Sequence, residues 1–71
     1  MNQINPRKLL HSKWTAVAPA NREKHFIVNK VEFDDDGAVT ACELQAVLTR
    51  RSELIDWRSL KDSARWQHGW Q

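Results

Sequence analysis

Three of the four tryptophans of this 71-residue chain, Trp57, Trp66 and Trp70, fall within fourteen residues near its end. Each indole can bury about 200 Å², which is a large share of the apolar area that so short a chain can place in a core. Cys42 is the only cysteine, so no intramolecular disulfide can stabilise the fold. The sequence therefore predicts one domain, residues 1–71, whose stability depends on packing of the indoles.

Two central segments, residues 25–33 and 39–49, alternate apolar and polar side chains in the manner of half-buried strands. Strict alternation puts Phe26 and Val28 on one face of the first segment and Ile27, Val31 and Phe33 on the other. In the second segment, one face carries the side chains Thr40, Cys42, Leu44, Ala46 and Leu48.

Three aspartates and a glycine, residues 34–37, separate these two segments. Glycine tolerates a positive φ and aspartate bonds the local backbone, so a tight turn and a long antiparallel hairpin are predicted. A calcium loop is the alternative interpretation. It would put Glu32 where that motif requires aspartate, and it would need a helix on each side.

The remaining segments are shorter. A helical turn is predicted from Pro6, because Asn5 can cap it, and Pro19 is predicted to end a first strand. The other predicted elements are strands at 12–17 and 53–57, a polar loop through Lys24, and helical turns at 58–60 and 63–67, with a single helix over 57–67 as the alternative. The chain is thus predicted to be mainly β, a small antiparallel SH3-like barrel or curled sheet of four to five strands with short helical turns at both ends.

The core of this sheet is predicted to centre on Trp57, which would share a strand face with Ile55. Gly69 would let Trp70 fold back and close the end of the barrel. Trp14 and Trp66 fit either a core position or a surface position equally well.

Several short motifs, taken together, are similar to a small bacterial tryptophan-rich family, a domain of unknown function. The resemblance runs over nearly the whole chain, and four tryptophans in fixed local context make it specific. It implies a small free-standing protein and supplies no catalytic or binding residues. The motifs are Asn5-Pro6, Lys8-Leu9-Leu10, Ser12-Lys13-Trp14-Thr15-Ala16, Lys24-His25-Phe26, Asp56-Trp57-Arg58, Leu60-Lys61-Asp62, and Trp66 with Gly69-Trp70.

Catalysis, metal binding and cofactor binding are not expected. Cys42 alternates with apolar residues and is predicted to be a small buried side chain rather than a reactive thiol. The three histidines and Cys42 lack the paired spacing of zinc ligands, and two glycines cannot form a phosphate-binding loop. We therefore expect a protein without enzymatic activity.

Several absences favour a cytoplasmic protein that does not bind membranes. No run approaches the roughly 20 apolar residues of a membrane span, and no signal peptide is visible. The lone cysteine is consistent with a reducing compartment. We expect a monomer or a weak dimer.

Charge is segregated along the chain. Residues 1–30 carry six cations and one acid, residues 31–49 carry five acids and no cation, and residues 50–71 carry five cations and three acids. Several cations adjoin indoles, the combination with which proteins bind single-stranded RNA or DNA. An aromatic groove for a partner peptide is the alternative. The predicted binding residues are Lys13, Trp14, Arg50, Arg51, Arg58, Arg65 and Trp66.

Overall fold

The computed structural model covers residues 1–71 and forms a single five-stranded antiparallel sheet, with the strand order β4-β3-β2-β1-β5. The strands are β1 (Lys13–Ala20), β2 (Glu23–Phe33), β3 (Val39–Ala46), β4 (Ser52–Ile55) and β5 (Trp66–His68), with 3-10 helices η1 (Pro6–Lys8) and η2 (Trp57–Lys61). The predicted fold class is confirmed. The sheet is open, with β4 and β5 at its edges, and is not closed into a barrel.

The long hairpin predicted at the centre of the sheet is present as β2 and β3. Its turn is closed by the Asp34 amide, which donates to the Ala38 carbonyl at 2.9 Å, and by Gly37 at φ 82°. The Asp34 carboxylate accepts from the Asp36 and Ala38 amides, both at 2.9 Å. Strands rather than helices flank this turn, so the calcium-loop alternative is wrong.

One residue of β2 changes which side chains share a face. Val28 pairs with Leu44 but Lys30 pairs with Glu43, so Asn29 is an extra residue in β2 and forms a bulge. Beyond the bulge the side chains exchange faces, which puts Val31 opposite Cys42, on the same face as Val28. The strict alternation expected from the sequence, with Val31 and Val28 on opposite faces, was therefore wrong.

The core lies on one face of the sheet, here called the core face, and is covered by Leu9 and Leu60 from the two helical turns. Trp14 is its largest member, with 1% of its surface exposed, and its indole N–H donates to the Ser12 hydroxyl at 2.9 Å. Cys42 is buried, as predicted. The full cluster is Leu9, Trp14, Phe26, Val28, Cys42, Leu44, Ala46 and Leu60.

The core positions predicted for Trp57 and Trp70 are not observed. Strand β4 ends at Ile55, and the Asp56 carboxylate caps η2 by accepting from the Arg58 amide at 3.0 Å. Trp57 therefore begins the helix, where it is half-buried and packs against the rim of the core. Trp70 is 45% exposed and lies on the opposite face of the sheet.

Strand ends also differ from the prediction. β1 continues through Pro19, and the expected loop is a two-residue turn in which Asn21 and Arg22 have φ values of 55° and 63°. Positive φ at both positions is the geometry of a type I′ hairpin turn. β3 ends earlier than predicted, and Leu48 lies exposed in the turn that follows.

The chain end contains a strand that the sequence did not indicate. The Asp62 carboxylate caps a short turn by accepting from the Ala64 amide at 2.9 Å. The chain then enters β5, which pairs with β1 through Trp14↔His68 and Ala16↔Trp66. The helix considered over 57–67 is therefore wrong. The two helical elements have three and five residues, and neither could reach across a lipid bilayer.

Candidate functional site

The predicted binding residues lie at several different places. Trp14 is in the core and cannot stack on a ligand. Lys13 lies on the outer face, the side of the sheet opposite the core face. Arg58 lies on η2, Arg50 lies in the turn after β3, and a single groove brings together Arg51, Arg65 and Trp66.

The groove exists because β1 separates from β2 along part of its length. Thr15 pairs with His25 and Ala20 pairs with Glu23, so residues 16–19 of β1 face only residue 24 of β2. The excess chain arches away from β2 and leaves a groove of about 250 Å³. The alanines in and beside this arch carry only methyl groups, so the side chains of Ala16, Ala18 and Ala20 line the groove without filling it.

Two aromatic rings line the same groove. Phe26 and Trp66 meet edge to face with their ring centroids 5.2 Å apart, and both contribute to the lining. Trp66 is half-buried, which lies between the core and surface positions that the sequence left open. Its indole N–H is buried and has no acceptor within the chain.

The charged wall of the groove is an ion-pair network built on Glu23, of which only 4% is exposed. Arg51 donates to the Glu23 carboxylate from Nη2 at 2.7 Å and from Nε at 3.1 and 3.2 Å, and Thr49 adds a hydroxyl donor. Arg51 also contacts the Glu53 carboxylate at 3.1 Å. Two carboxylates thus neutralise the charge of Arg51. The sequence analysis treated Arg51 as a turn cation available to phosphate, whereas the structure shows it paired.

This network shifts two pKa values in opposite directions. Hydrogen bonds from Arg51 and then Thr49 stabilise the charged carboxylate and hold the pKa of Glu23 below its usual value. The carboxylates of Glu23 and then Glu53 raise the pKa of the Arg51 guanidinium. Burial raises the pKa of the Cys42 thiol above its usual value, which favours its protonated form.

The lowered pKa of Glu23 predicts a specific loss of stability in acid. A carboxyl whose folded pKa lies below its unfolded pKa stabilises the fold above the unfolded value, about 4.3, and this stabilisation disappears as the pH falls through the folded pKa. Glu23→Gln should therefore have a lower melting temperature than the wild type at pH 7, and this difference should disappear towards pH 3. Thermal melts at pH 7, 5, 4 and 3 would measure it.

The matched control for this prediction is Glu53→Gln, which removes a carboxylate that holds Arg51 by one contact and is half-exposed. Exposed ion pairs contribute little to stability, so its melting gap at pH 7 should be smaller than that of Glu23→Gln. A Glu23→Gln gap as large at pH 3 as at pH 7 would contradict the assigned direction of the pKa shift.

On the outer face, the chain end folds over Thr15 and holds Trp70 against the sheet. The Thr15 hydroxyl donates to the Gly69 carbonyl at 2.7 Å and accepts from the Gln71 amide at 2.9 Å. The indole N–H of Trp70 donates to the Phe26 carbonyl at 2.9 Å. Gly69 has φ 74°, which permits the bend that its position in the sequence suggested.

Trp70 forms a cation–π pair with a predicted binding residue. The Lys13 ammonium lies 4.7 Å from the centroid of the Trp70 ring, and the His25 ring centroid lies 6.1 Å from it. The sequence analysis placed Trp70 in the core and so missed it as a surface residue. No local pattern distinguishes the two roles, because Lys13 and Trp70 are far apart in the chain.

A second cation–π pair lies on η2. The Lys61 ammonium is 4.7 Å from the centroid of the Trp57 ring. Lys61 and Arg58 line a shallow depression together with Met1, Asp62 and Ser63. The half-buried state of Trp57 leaves less of this ring accessible than that of Trp70.

Part of the charge segregation of the sequence becomes a separation between the two ends of β2. The Val47 amide donates to the His25 carbonyl at 2.9 Å, so the turn after β3 and the turn before β2 lie at the same end. We call this the basic end; its cations Arg22, Lys24 and Arg50 form no salt bridge. The acidic tip, Asp34, Asp35 and Asp36, lies at the other end of β2.

Comparison with known proteins identifies the family. The family model described as Tryptophan-rich protein (DUF2389) matches residues 12–71, which contain every strand and all four indoles. The chain belongs to this family. Both candidate surfaces of the Trp-rich protein lie within the matched residues. They are the groove and the Trp70 patch, the outer-face surface formed by Lys13, His25 and Trp70. A search of curated proteins gave no match, and neither did a search of solved structures.

Proposed function

We propose that this Trp-rich protein binds single-stranded RNA or DNA on the outer face of its sheet. In this proposal Trp70 is the platform on which a base stacks, and Lys13 contacts a neighbouring phosphate. The observation that carries the proposal is an indole with 45% of its surface exposed and an ammonium group 4.7 Å from its ring centroid. Stacking on such a ring contributes about 1–3 kcal/mol per base.

The Trp70 ring is held in place before any ligand arrives. Its N–H donates a hydrogen bond to the Phe26 carbonyl, and the neighbouring residues Gly69 and Gln71 are hydrogen-bonded to the Thr15 hydroxyl. A platform that is already ordered loses little conformational entropy when a base stacks on it. The flexible Lys13 side chain can leave the ring to a base and turn towards the sugar–phosphate backbone.

Electrostatics favour the same region. Trp70 packs near His25, beside the basic end, where Arg22, Lys24 and Arg50 have no carboxylate partners. The acidic tip lies at the far end of β2, so its negative charge is distant from the Trp70 patch. Phosphates can therefore follow the cations of the basic end without meeting that cluster of carboxylates.

The predicted result is quenching of tryptophan fluorescence when a mixed-sequence RNA of about 12 nucleotides is added at low salt. Lys13→Glu should weaken binding, and Trp70→Leu should remove most of the quenching, because Trp14 is buried and Trp57 and Trp66 are less exposed than Trp70. The logarithm of the affinity should fall by about 0.7 per phosphate contact for each tenfold rise in salt. Fluorescence and anisotropy titrations measure all three effects.

The matched control for Lys13→Glu is Lys30→Glu, which makes the same charge change at a lysine already paired with Glu32 at 3.2 Å. It should weaken binding less than Lys13→Glu. A duplex of the same sequence should also bind more weakly, because its bases are not free to stack. No change of fluorescence or anisotropy at high micromolar concentration would eliminate the nucleic-acid proposal.

Protein binding is the second candidate function, and the groove beside Trp66 is the observation that favours it. The groove combines aromatic rings, small apolar side chains and a charged wall, which together suit an extended peptide. Lys13 and Trp70 do not line the groove, so substituting them should not affect a peptide bound there. The titration described above therefore distinguishes nucleic-acid binding from protein binding.

A further inference from the structure

The volume of the groove matches part of a peptide better than a small molecule. Small-molecule pockets usually measure about 300–1,000 Å³ and enclose most of the ligand. This groove holds about 250 Å³ and is open to solvent. One bulky side chain against Phe26 and Trp66, with its neighbouring backbone along the alanines, would occupy it.

The two sides of the groove carry different charge. Arg65 forms no salt bridge, and it is the only lining cation whose charge is not neutralised within the chain. On the charged wall, Glu23 and Glu53 hold Arg51 between them. A segment with carboxylates for Arg65 and backbone N–H donors for the glutamates is complementary to both sides.

The chain itself carries a segment of this chemistry. Phe33 is 45% exposed at the end of β2, and the acidic tip follows it directly. This segment cannot reach the groove of its own molecule, since Glu23 and Phe33 are the two ends of an eleven-residue strand, about 30 Å apart. The long axis of the molecule is 37 Å. A complementary pair at opposite ends can meet only between molecules.

We propose that the Trp-rich protein associates head to tail, with the acidic tip of one copy docked in the groove of the next. Phe33 enters beside Trp66, and the carboxylate of Asp35 faces Arg65. The tip and the groove are different surfaces, so a single tip-to-groove contact is heterologous and, when repeated head to tail, produces rings or open chains. This association does not depend on the proposed nucleic-acid binding and would occur in nuclease-treated protein.

Sedimentation of nuclease-treated protein from micromolar to millimolar concentration at low salt tests this inference. The average mass should rise with concentration, and added salt should reverse the rise. Arg65→Glu or Asp35→Lys should each weaken association about tenfold or more, because each puts like charges opposite one another. Neither change disturbs the fold: Arg65 is exposed, and Asp34 rather than Asp35 closes the turn.

Mixing the two variants provides the sharpest outcome. The intact tip of Arg65→Glu fits the intact groove of Asp35→Lys, so the mixture should associate although neither variant does so alone. Arg58→Glu and Glu43→Lys, which make the same charge changes elsewhere, should associate like the wild type. A wild type that stays monomeric at millimolar concentration, or single variants that associate like the wild type, would overturn the inference.

Discussion

Trp14→Ala is expected to cost about 3–5 kcal/mol of unfolding free energy, the usual range for truncating a buried large aromatic side chain. Trp14 is the largest fully buried side chain, lies opposite Phe26 in the sheet, and contacts the His68 ring at a centroid distance of 4.3 Å. Small domains have a total stability of about 5–15 kcal/mol, so this loss should remove a large share of it. Urea unfolding followed by circular dichroism measures the loss.

The control is truncation of a tryptophan outside the core. Trp70→Ala removes an indole that is 45% exposed and should cost much less than Trp14→Ala. Trp57→Ala should fall between the two, because Trp57 is half-buried at the rim of the core. If Trp57→Ala cost more than Trp14→Ala, the core would centre on Trp57 as the sequence analysis expected.

Leu60→Ala is expected to have the second largest effect, about 2–5 kcal/mol, the range for truncating a buried leucine. Leu60 is the only buried residue of η2, and no part of its surface is exposed. Its loss would open a cavity over the core face and release the contact between η2 and β3. Thermal unfolding followed by near-ultraviolet circular dichroism would show the loss of tertiary packing.

A matched control for this substitution is Leu54→Ala on edge strand β4. Leu54 is 70% exposed, so the same chemical change should alter stability by less than about 0.5 kcal/mol. Equal destabilisation by the two substitutions would show that η2 does not seal the core.

The hairpin of β2 and β3 and the cap at Asn5 were predictable because they depend on neighbours in the chain. A turn with Gly37 at positive φ, or an asparagine accepting from an amide two residues later, requires only a few residues. Strand β5 was not predictable in the same way. Its three residues form a strand because β1 provides partners that lie 50 to 54 residues earlier in the chain.

The placement of the indoles was the main error of the sequence analysis, and its cause is long-range pairing. Hydrophobicity identifies all four tryptophans as core candidates but does not rank them. Trp14 is buried because Leu9, Leu60 and β5 meet over its position, and Trp70 is exposed because Thr15 and the Phe26 carbonyl hold it on the outer face. The bulge at Asn29 similarly moved Val31 to the core face.

By itself, the sequence determined the segments of β1 to β4, the residues of the central turn and the separation of charge along the chain. The tertiary structure alone decided which charges and rings are available to a ligand. Arg51 is neutralised by Glu23, 28 residues away, whereas Arg65 has no partner. Lys13 meets Trp70 across almost the whole chain. Composition specifies the number of cations and indoles, but their availability depends on pairs that only the register of the folded sheet brings together.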